Sequence, residues 1–288
     1  MRVHILGTGT PTPSPDRFGS AFVTEVGDRK VMVDCGPAAT HKLVKAGLWP
    51  TQITDLFFTH HHFDHNVDYP CFLLCRWDQG GDEEILRVYG PTLTAEITQG
   101  LIGSSGVFAP DWKARVGHPA SQKVFVNRGG TLPRRPPEVD VEDIGPGHVI
   151  EGDGWRVTSA YADHAQPFLD SLAYRLDSDE GSVVFTGDTA PCDTVTELAK
   201  GADVMFAMCW DDEDYMESND ETVGVSGARG AARMAARAGV SRLVLVHSHS
   251  RLDGDEAKKK AIGHAGEVFP GEVTLATELS VVDVAGGR

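Results

Sequence analysis

Phe57-Phe58-Thr59-His60-His61-His62-Phe63-Asp64-His65 is the stretch on which the reading of this chain turns. A β-rich run over residues 55–59 ends abruptly in four histidines and an aspartate within residues 60–65. Polar and imidazole groups at the C-terminal edge of a strand sit where α/β folds gather their chemistry. On an extended backbone His60 and His62 point the same way, whereas Asp64 and His65 open the next turn and face a second centre. His61 faces away and is not expected to be a ligand. Imidazole nitrogens with a carboxylate suit zinc, and the hard oxygen donor also admits iron or manganese.

Outward from this stretch, short runs rich in Val, Ile, Phe and Tyr alternate with helical patterns. Strands are predicted at 3–6, 21–26, 31–34, 55–59, 86–89, 124–126, 155–160, 172–176, 182–186, 204–208, 243–246 and 279–284. Helices are predicted at 38–46, 65–77, 92–101, 194–200, 227–238 and 256–266, with Gly47 and Gly239 as C-caps. The alternation predicts an α/β layered fold. No linker or repeat divides the chain, so residues 1–288 read as one domain with an insertion around 105–140. Residues 117–137, with Gly129, Gly130, Pro133, Pro136 and Pro137, read as a long loop that could be a lid, a contact between copies or a plain insertion. Gly7-Thr8-Gly9-Thr10 is only weakly like a phosphate loop, since no lysine and helix start follow.

Hydrophobic residues make up 41% of the chain, enough for a sizeable core. No apolar run approaches the roughly 18 residues of a membrane span. The N-terminus reads as a first strand and not as a signal peptide, which predicts a cytoplasmic protein. Five cysteines without a CxxC pair fit reduced thiols, and Cys71 and Cys75 are expected to face a core from one helix. The formal net charge of −16 opposes binding to phosphate backbones. Arg134-Arg135, the notable basic pair, is expected in a solvated loop.

With the remaining motifs in place, the chain resembles the metallo-β-lactamase superfamily, and more closely its ribonuclease Z and arylsulfatase-like branch. The likeness runs through Leu6-Gly7-Thr8-Gly9, Val33-Asp34-Cys35-Gly36 with His41, and His60-His61-His62-Phe63-Asp64-His65. It continues through Tyr161-Ala162-Asp163-His164, Phe185-Thr186-Gly187-Asp188-Thr189 and Leu243-Val244-Leu245-Val246-His247. The resemblance implies a four-layer αββα sandwich with two divalent metals, zinc first, Mn2+ or Fe2+ as alternatives. It assigns His60, His62 and His164 to one metal, Asp64, His65 and His247 to the other, and Asp188 to the bridge. It further implies a metal-dependent hydrolase that attacks with metal-bound hydroxide, Asp64 and Asp188 among its catalytic groups.

Departures from ribonuclease Z shape the expected substrate. Only residues 177–181 separate two predicted strands where that family carries a tRNA-gripping arm. Val225, in Val225-Ser226-Gly227, stands where its assisting histidine is found, and Ala207-Met208 fall near its His-Glu pair. The expected substrate is therefore a small molecule with a good leaving group: an ester or lactone, a sulfate, a phosphodiester or an activated aryl halide. Residues 68–74 are also similar to hydrolytic dehalogenases of chlorinated aromatics. Trp210 and Met208, with Trp77 or Phe168, would line an apolar pocket. His249 is the first candidate for a proton donor, beside His41, Asp34 and Asp163. Nucleic acid is disfavoured as a partner, no membrane is expected and a homodimer is admitted. The alternatives are a ribonuclease Z-like phosphodiesterase on nucleic acid and an iron-dependent oxidoreductase on the same scaffold.

Overall fold

The computed structural model describes residues 1–80 and 85–284. The N-terminal half supplies strands β1 (Arg2–Thr8), β2 (Ser20–Val26), β3 (Arg29–Val33), β4 (Asp55–Phe57), β5 (Leu86–Gly90) and β6 (Val139–Asp143). The C-terminal half supplies β7 (Val149–Gly152), β8 (Trp155–Tyr161), β9 (Leu172–Ser178), β10 (Gly181–Phe185), β11 (Val204–Met208), β12 (Arg242–Val246), β13 (Glu272–Leu275) and β14 (Val281–Asp283). They form two seven-stranded sheets, ordered β14-β1-β2-β3-β4-β5-β6 and β13-β12-β11-β10-β9-β8-β7. Each is mixed: β3 to β6 run parallel, as do β10 to β13, and the remaining neighbours are antiparallel.

The helices are α1 (Ala39–Lys45), α2 (Phe63–Asn66), α3 (Tyr69–Gln79), α4 (Thr94–Ile102), α5 (Ala109–Gly117), α6 (Pro119–Asn127), α7 (Asp193–Leu198), α8 (Glu213–Ser218), α9 (Ala228–Ala238) and α10 (Asp255–Gly266). Three buried clusters define the layers. Val3, Ile5, Phe22, Phe57, Tyr174, Phe185, Phe206 and Val246 fill the space between the sheets. Leu43, Ile53, Leu56, Phe72 and Leu73 pack helices on the first sheet, and the alanines of α9 pack on β11 and β12 of the second. Strands buried on both faces lose their alternation, which is why β11 reads as the continuous run Val-Met-Phe-Ala-Met. The architecture is the αββα sandwich.

Several local expectations need correction. Residues 124–126 are not a strand but part of α6, inside the expected 117–137 loop. Pro119 opens that helix and buried Phe125 anchors it, which overrides the β preference of the flanking valines, both about half exposed. The helix predicted over 65–77 is broken between α2 and α3. The carbonyl of His65 accepts the Cys35 amide at 2.7 Å and the Asp68 amide donates to Cys35 at 3.1 Å, so the backbone is diverted to a neighbouring loop. Cys71 is exposed and Cys75 half-buried, because α3 turns Tyr69, Phe72 and Leu73 inward instead. Arg134 is buried, its guanidinium 3.9 Å from the Trp77 ring and 4.8 Å from that of Phe125, and paired with Asp78 at 3.0 Å. An arginine held over aromatic faces with a carboxylate is a packing element.

Candidate metal centre

The residues that matter leave the C-terminal ends of strands. Asp34 follows β3, His60 to His65 follow β4, Asp188 follows β10 and His247 follows β12. His164 lies beyond the end of β8. Two of these exits use left-handed backbone at non-glycine residues, Asp34 at φ 60° and His247 at φ 52°. A third uses Gly187 at φ 57°, where a Cβ would come within 2.8 Å of Thr59 Cβ. Asp188 can therefore turn into the centre only behind a glycine.

Two half-sites result. In the first, His60 Nε2 lies 3.0 Å from His62 Nδ1, which is 3.2 Å from His164 Nε2. In the second, Asp64 Oδ2 lies 3.1 Å from His247 Nε2 and 3.6 Å from His65 Nε2. Asp188 stands between them: Oδ1 is 3.5 Å from His65, and Oδ2 is 3.3 Å from His247 and 3.8 Å from His164. Donor atoms about 2.0–2.1 Å from one tetrahedral ion are separated by about 3.3 Å, the spacing of these groups. The groups His60-His62-His164, His60-His65-Asp188 and Asp64-His65-His247 could each hold an ion.

The orientation of each ring is set behind it. Asp34 accepts from Thr59 through its amide at 2.8 Å and from its hydroxyl, and from His65 Nδ1 at 2.7 Å. The Thr59 hydroxyl proton is spent on Asp34, so at 3.1 Å its oxygen accepts from His60 Nδ1. His164 Nδ1 donates to the carbonyl of Gly224 at 2.6 Å. In all three histidines Nδ1 is thereby occupied and Nε2 is left facing the centre. Gly224, at φ 72°, is needed there, because a Cβ would approach the His164 carbonyl to 2.5 Å.

Burial holds His60 well below the usual imidazole range and lowers His62, so both are neutral and free to donate electron pairs. Burial also disfavours charge on His65 and Asp188. For His65 the carboxylates of Asp188 and Asp34 outweigh it and raise the ring, and His247 and His65 in turn hold the Asp188 carboxyl well down. His65 Nε2, Asp64 Oδ1 and Asp188 Oδ1 are buried without a hydrogen-bond partner. Such atoms are costly in a protein interior unless a cation completes them, so the donor set fits divalent metal.

The other sequence candidates scatter. His61 turns away to Thr94 Oγ1 at 2.8 Å. Asp34 is buried behind His65, its carboxylate 2.7 Å from Nδ1. His41 is exposed on α1 and Asp163 is exposed beside His164. Trp210 lies against His247, with ring centroids 6.1 Å apart, and 6.0 Å from His249. Met208 is core, Trp77 packs on Arg134, and Phe168 is exposed. Thr59 and Gly224 are the supports that sequence reading missed. A threonine ending a buried strand just before a histidine was the available signal for the first.

Comparison with known proteins accords with this centre. The Beta-lactamase superfamily domain matches residues 106–248, and the family described as Anti-Pycsar protein Apyc1 matches residues 1–68. The ribonuclease Z of Mycobacterium sp. (strain KMS) is 30% identical over 100% of this chain and 97% of its own length. Among solved structures, the metallo-beta-lactamase fold protein YhfI from Bacillus subtilis aligns with a TM-score of 0.74 at 21% identity, covering 98% of each chain. Human tRNase Z, short form, aligns with a TM-score of 0.70 at 21% identity, covering 99% of each. The chain belongs to the metallo-β-lactamase superfamily and is a hydrolase with ribonuclease Z relatives.

These relatives overturn one expectation. A small-molecule partner, with nucleic acid disfavoured, does not stand against end-to-end likeness to proteins named ribonuclease Z, which points to RNA. The reasoning failed because a net charge averages the whole surface, whereas a polyanion meets one mouth, where divalent cations reverse the local sign. None of the relatives named above is a dehalogenase. No helix among the described residues is long and apolar enough to cross a membrane.

Proposed function

We propose that this protein hydrolyses phosphodiester bonds in RNA with two divalent cations, zinc by preference. The observation that carries the reading is the likeness to a ribonuclease Z over the full length of the chain, combined with donor groups spaced for two ions. His60, His62 and His164 would hold one ion and Asp64, His65 and His247 the other, with Asp188 facing both groups. Five imidazoles and two carboxylates make a nitrogen-rich set that favours zinc over manganese or iron. When bound, the cations supply Lewis acidity at the phosphoryl oxygens and a water acidified towards neutral pH.

The chain's own groups do the rest. Asp34, Thr59 and Gly224 fix the rings. His249 is the proposed proton donor to the leaving oxygen: its Nδ1 accepts the Arg251 amide at 3.1 Å, which leaves the proton of the neutral ring on Nε2. Arg251 is itself tied to buried Asp211 through Nε at 2.6 Å. We further take residues 1–288 as one domain, with the segment around 105–140, α5 and α6 included, as an insertion. We place the protein in the cytoplasm, in keeping with its free thiols.

The test is cleavage of end-labelled precursor tRNA and of short unstructured oligoribonucleotides by zinc-loaded protein, run beside a chelated control. Chelator-sensitive cleavage is expected. Intact RNA with metal-replete protein, or cleavage indifferent to chelator, would defeat the reading.

A further inference from the structure

The hairpin from β9 to β10 turns through Asp179 and Glu180 alone, so it offers no arm with which to grip an RNA. Contact beside the metals is then required. The centre is open on one side: His62 and His164 are half-buried, while Asp64, His65, Asp188 and His247 are buried. RNA must approach over His62 and His164.

The loop that carries His164 also carries Phe168, a residue 89% exposed. The next most exposed aromatic residues described are Trp49 at 54% and Phe63 at 50%. Val223, also 89% exposed, precedes the Gly224 that receives His164. An apolar ring left in water is disfavoured, and here the loop is not a loose tip that could fold the ring away. The amides of Phe168 and Leu169 donate to Ala165 at 3.0 and 3.3 Å, and the Gln166 side chain bridges the His164 amide and the Ala162 carbonyl. Asp170 accepts from Thr92 Oγ1 at 2.7 Å. A braced loop thus presents a bare aromatic face four residues from a ligand of the open half-site. Proteins that bind unpaired nucleic acid use such faces, since every base has a π surface to stack.

We propose that the Phe168 ring is the platform on which an unpaired nucleobase next to the scissile phosphodiester stacks. This inference rests on the RNA reading of the site. Binding of a fluorescein-labelled short oligoadenylate to the full-length protein, followed by anisotropy, tests it separately from turnover. Phe168→Ala should raise Kd about tenfold, Phe168→Trp should restore it and Phe168→Leu should not. An abasic ribose-phosphate oligomer should bind weakly and equally to all four proteins.

Unchanged Kd in Phe168→Ala, full rescue by leucine, or equal affinity for the abasic oligomer would overturn the proposal. A shift from dimer to monomer in Phe168→Ala by light scattering, with Kd unchanged, would overturn it in favour of a contact between copies. Ring-dependent binding without any cleavage would leave the platform standing and remove the hydrolytic reading. Cleavage with the same KM in wild type and Phe168→Ala would do the reverse.

Discussion

The two half-sites are built differently. The inner one, Asp64, His65 and His247, is buried, includes a carboxylate and is braced by Asp34 from behind. The outer one, His60, His62 and His164, is all imidazole, and two of its rings are half-buried. The difference separates two burdens. Inner residues carry buried charge that the fold must neutralise, so their loss strikes stability as well as chemistry. The solvent-side rings His62 and His164 can be lost at little cost to folding, because water replaces them.

The strongest way to break this contrast is at the residue shared by both halves. Asp188→Asn should lower kcat at least about a thousandfold and reduce bound metal in both positions, read by elemental analysis. Loss of only one equivalent would mean that Asp188 belongs to one half alone. Next comes a paired measurement. His65→Ala should abolish activity and lower Tm by about 5–10 °C, since Asp34 and Asp188 lose a buried partner. His62→Ala should abolish activity as well, yet leave Tm within about 2 °C. Equal Tm losses would erase the distinction drawn between the halves.

A subtler probe acts through the bracing. Asp34→Asn keeps the shape but weakens the hydrogen bond that sets the His65 ring, and should cost 10- to 100-fold in metal affinity, the usual effect of such supports. If metal content is retained under a competing chelator, Asp34 is merely structural. The smallest effect is expected far from both halves. Burial pushes the Asp78 carboxyl up, but hydrogen bonds from Arg134 and Arg128 and the charge of Arg115 outweigh it and hold it below its usual range. A depressed carboxyl contributes stability above its unfolded value, near about 4, and loses it as pH falls further. Asp78→Asn should thus lower Tm by about 3 °C at pH 7, with the gap closing below about pH 4 and metal content unchanged. A gap independent of pH would show that charge is not the cause.

How far the sequence foretold this differs by residue. The clustering of His60, His62, Asp64 and His65 was legible because they are near neighbours in the chain just after a strand, so spacing and periodicity suffice. Asp188 and His247 each follow an apolar run, and the motif likeness placed them. The supports were harder. Asp34 stood out only as an acid, since its role depends on a ring and a hydroxyl that tertiary packing delivers. Arg134 looked solvated because nothing local announces that Trp77 and Phe125 will enclose it. The valines of 124–126 looked like a strand because β-branched residues usually are one, and the helix-opening place of Pro119 went unread. The sheets, by contrast, were visible wherever strands are buried on both faces, and missed at β6, β7 and β13, where exposed or charged positions dilute the pattern.

The left-handed turns at Asp34 and His247 carry a thermodynamic consequence. Side chains with a Cβ pay about 1–3 kcal/mol to hold that conformation, and glycine pays almost nothing. That an aspartate and a histidine stand there, where Gly187 stands at the third exit, means that buried pairing offsets the strain: Asp34 accepts from Thr59 and His65, and His247 meets Asp64. Glycine at either exit should therefore relax the backbone and still leave the protein easier to melt, because it strands those buried partners.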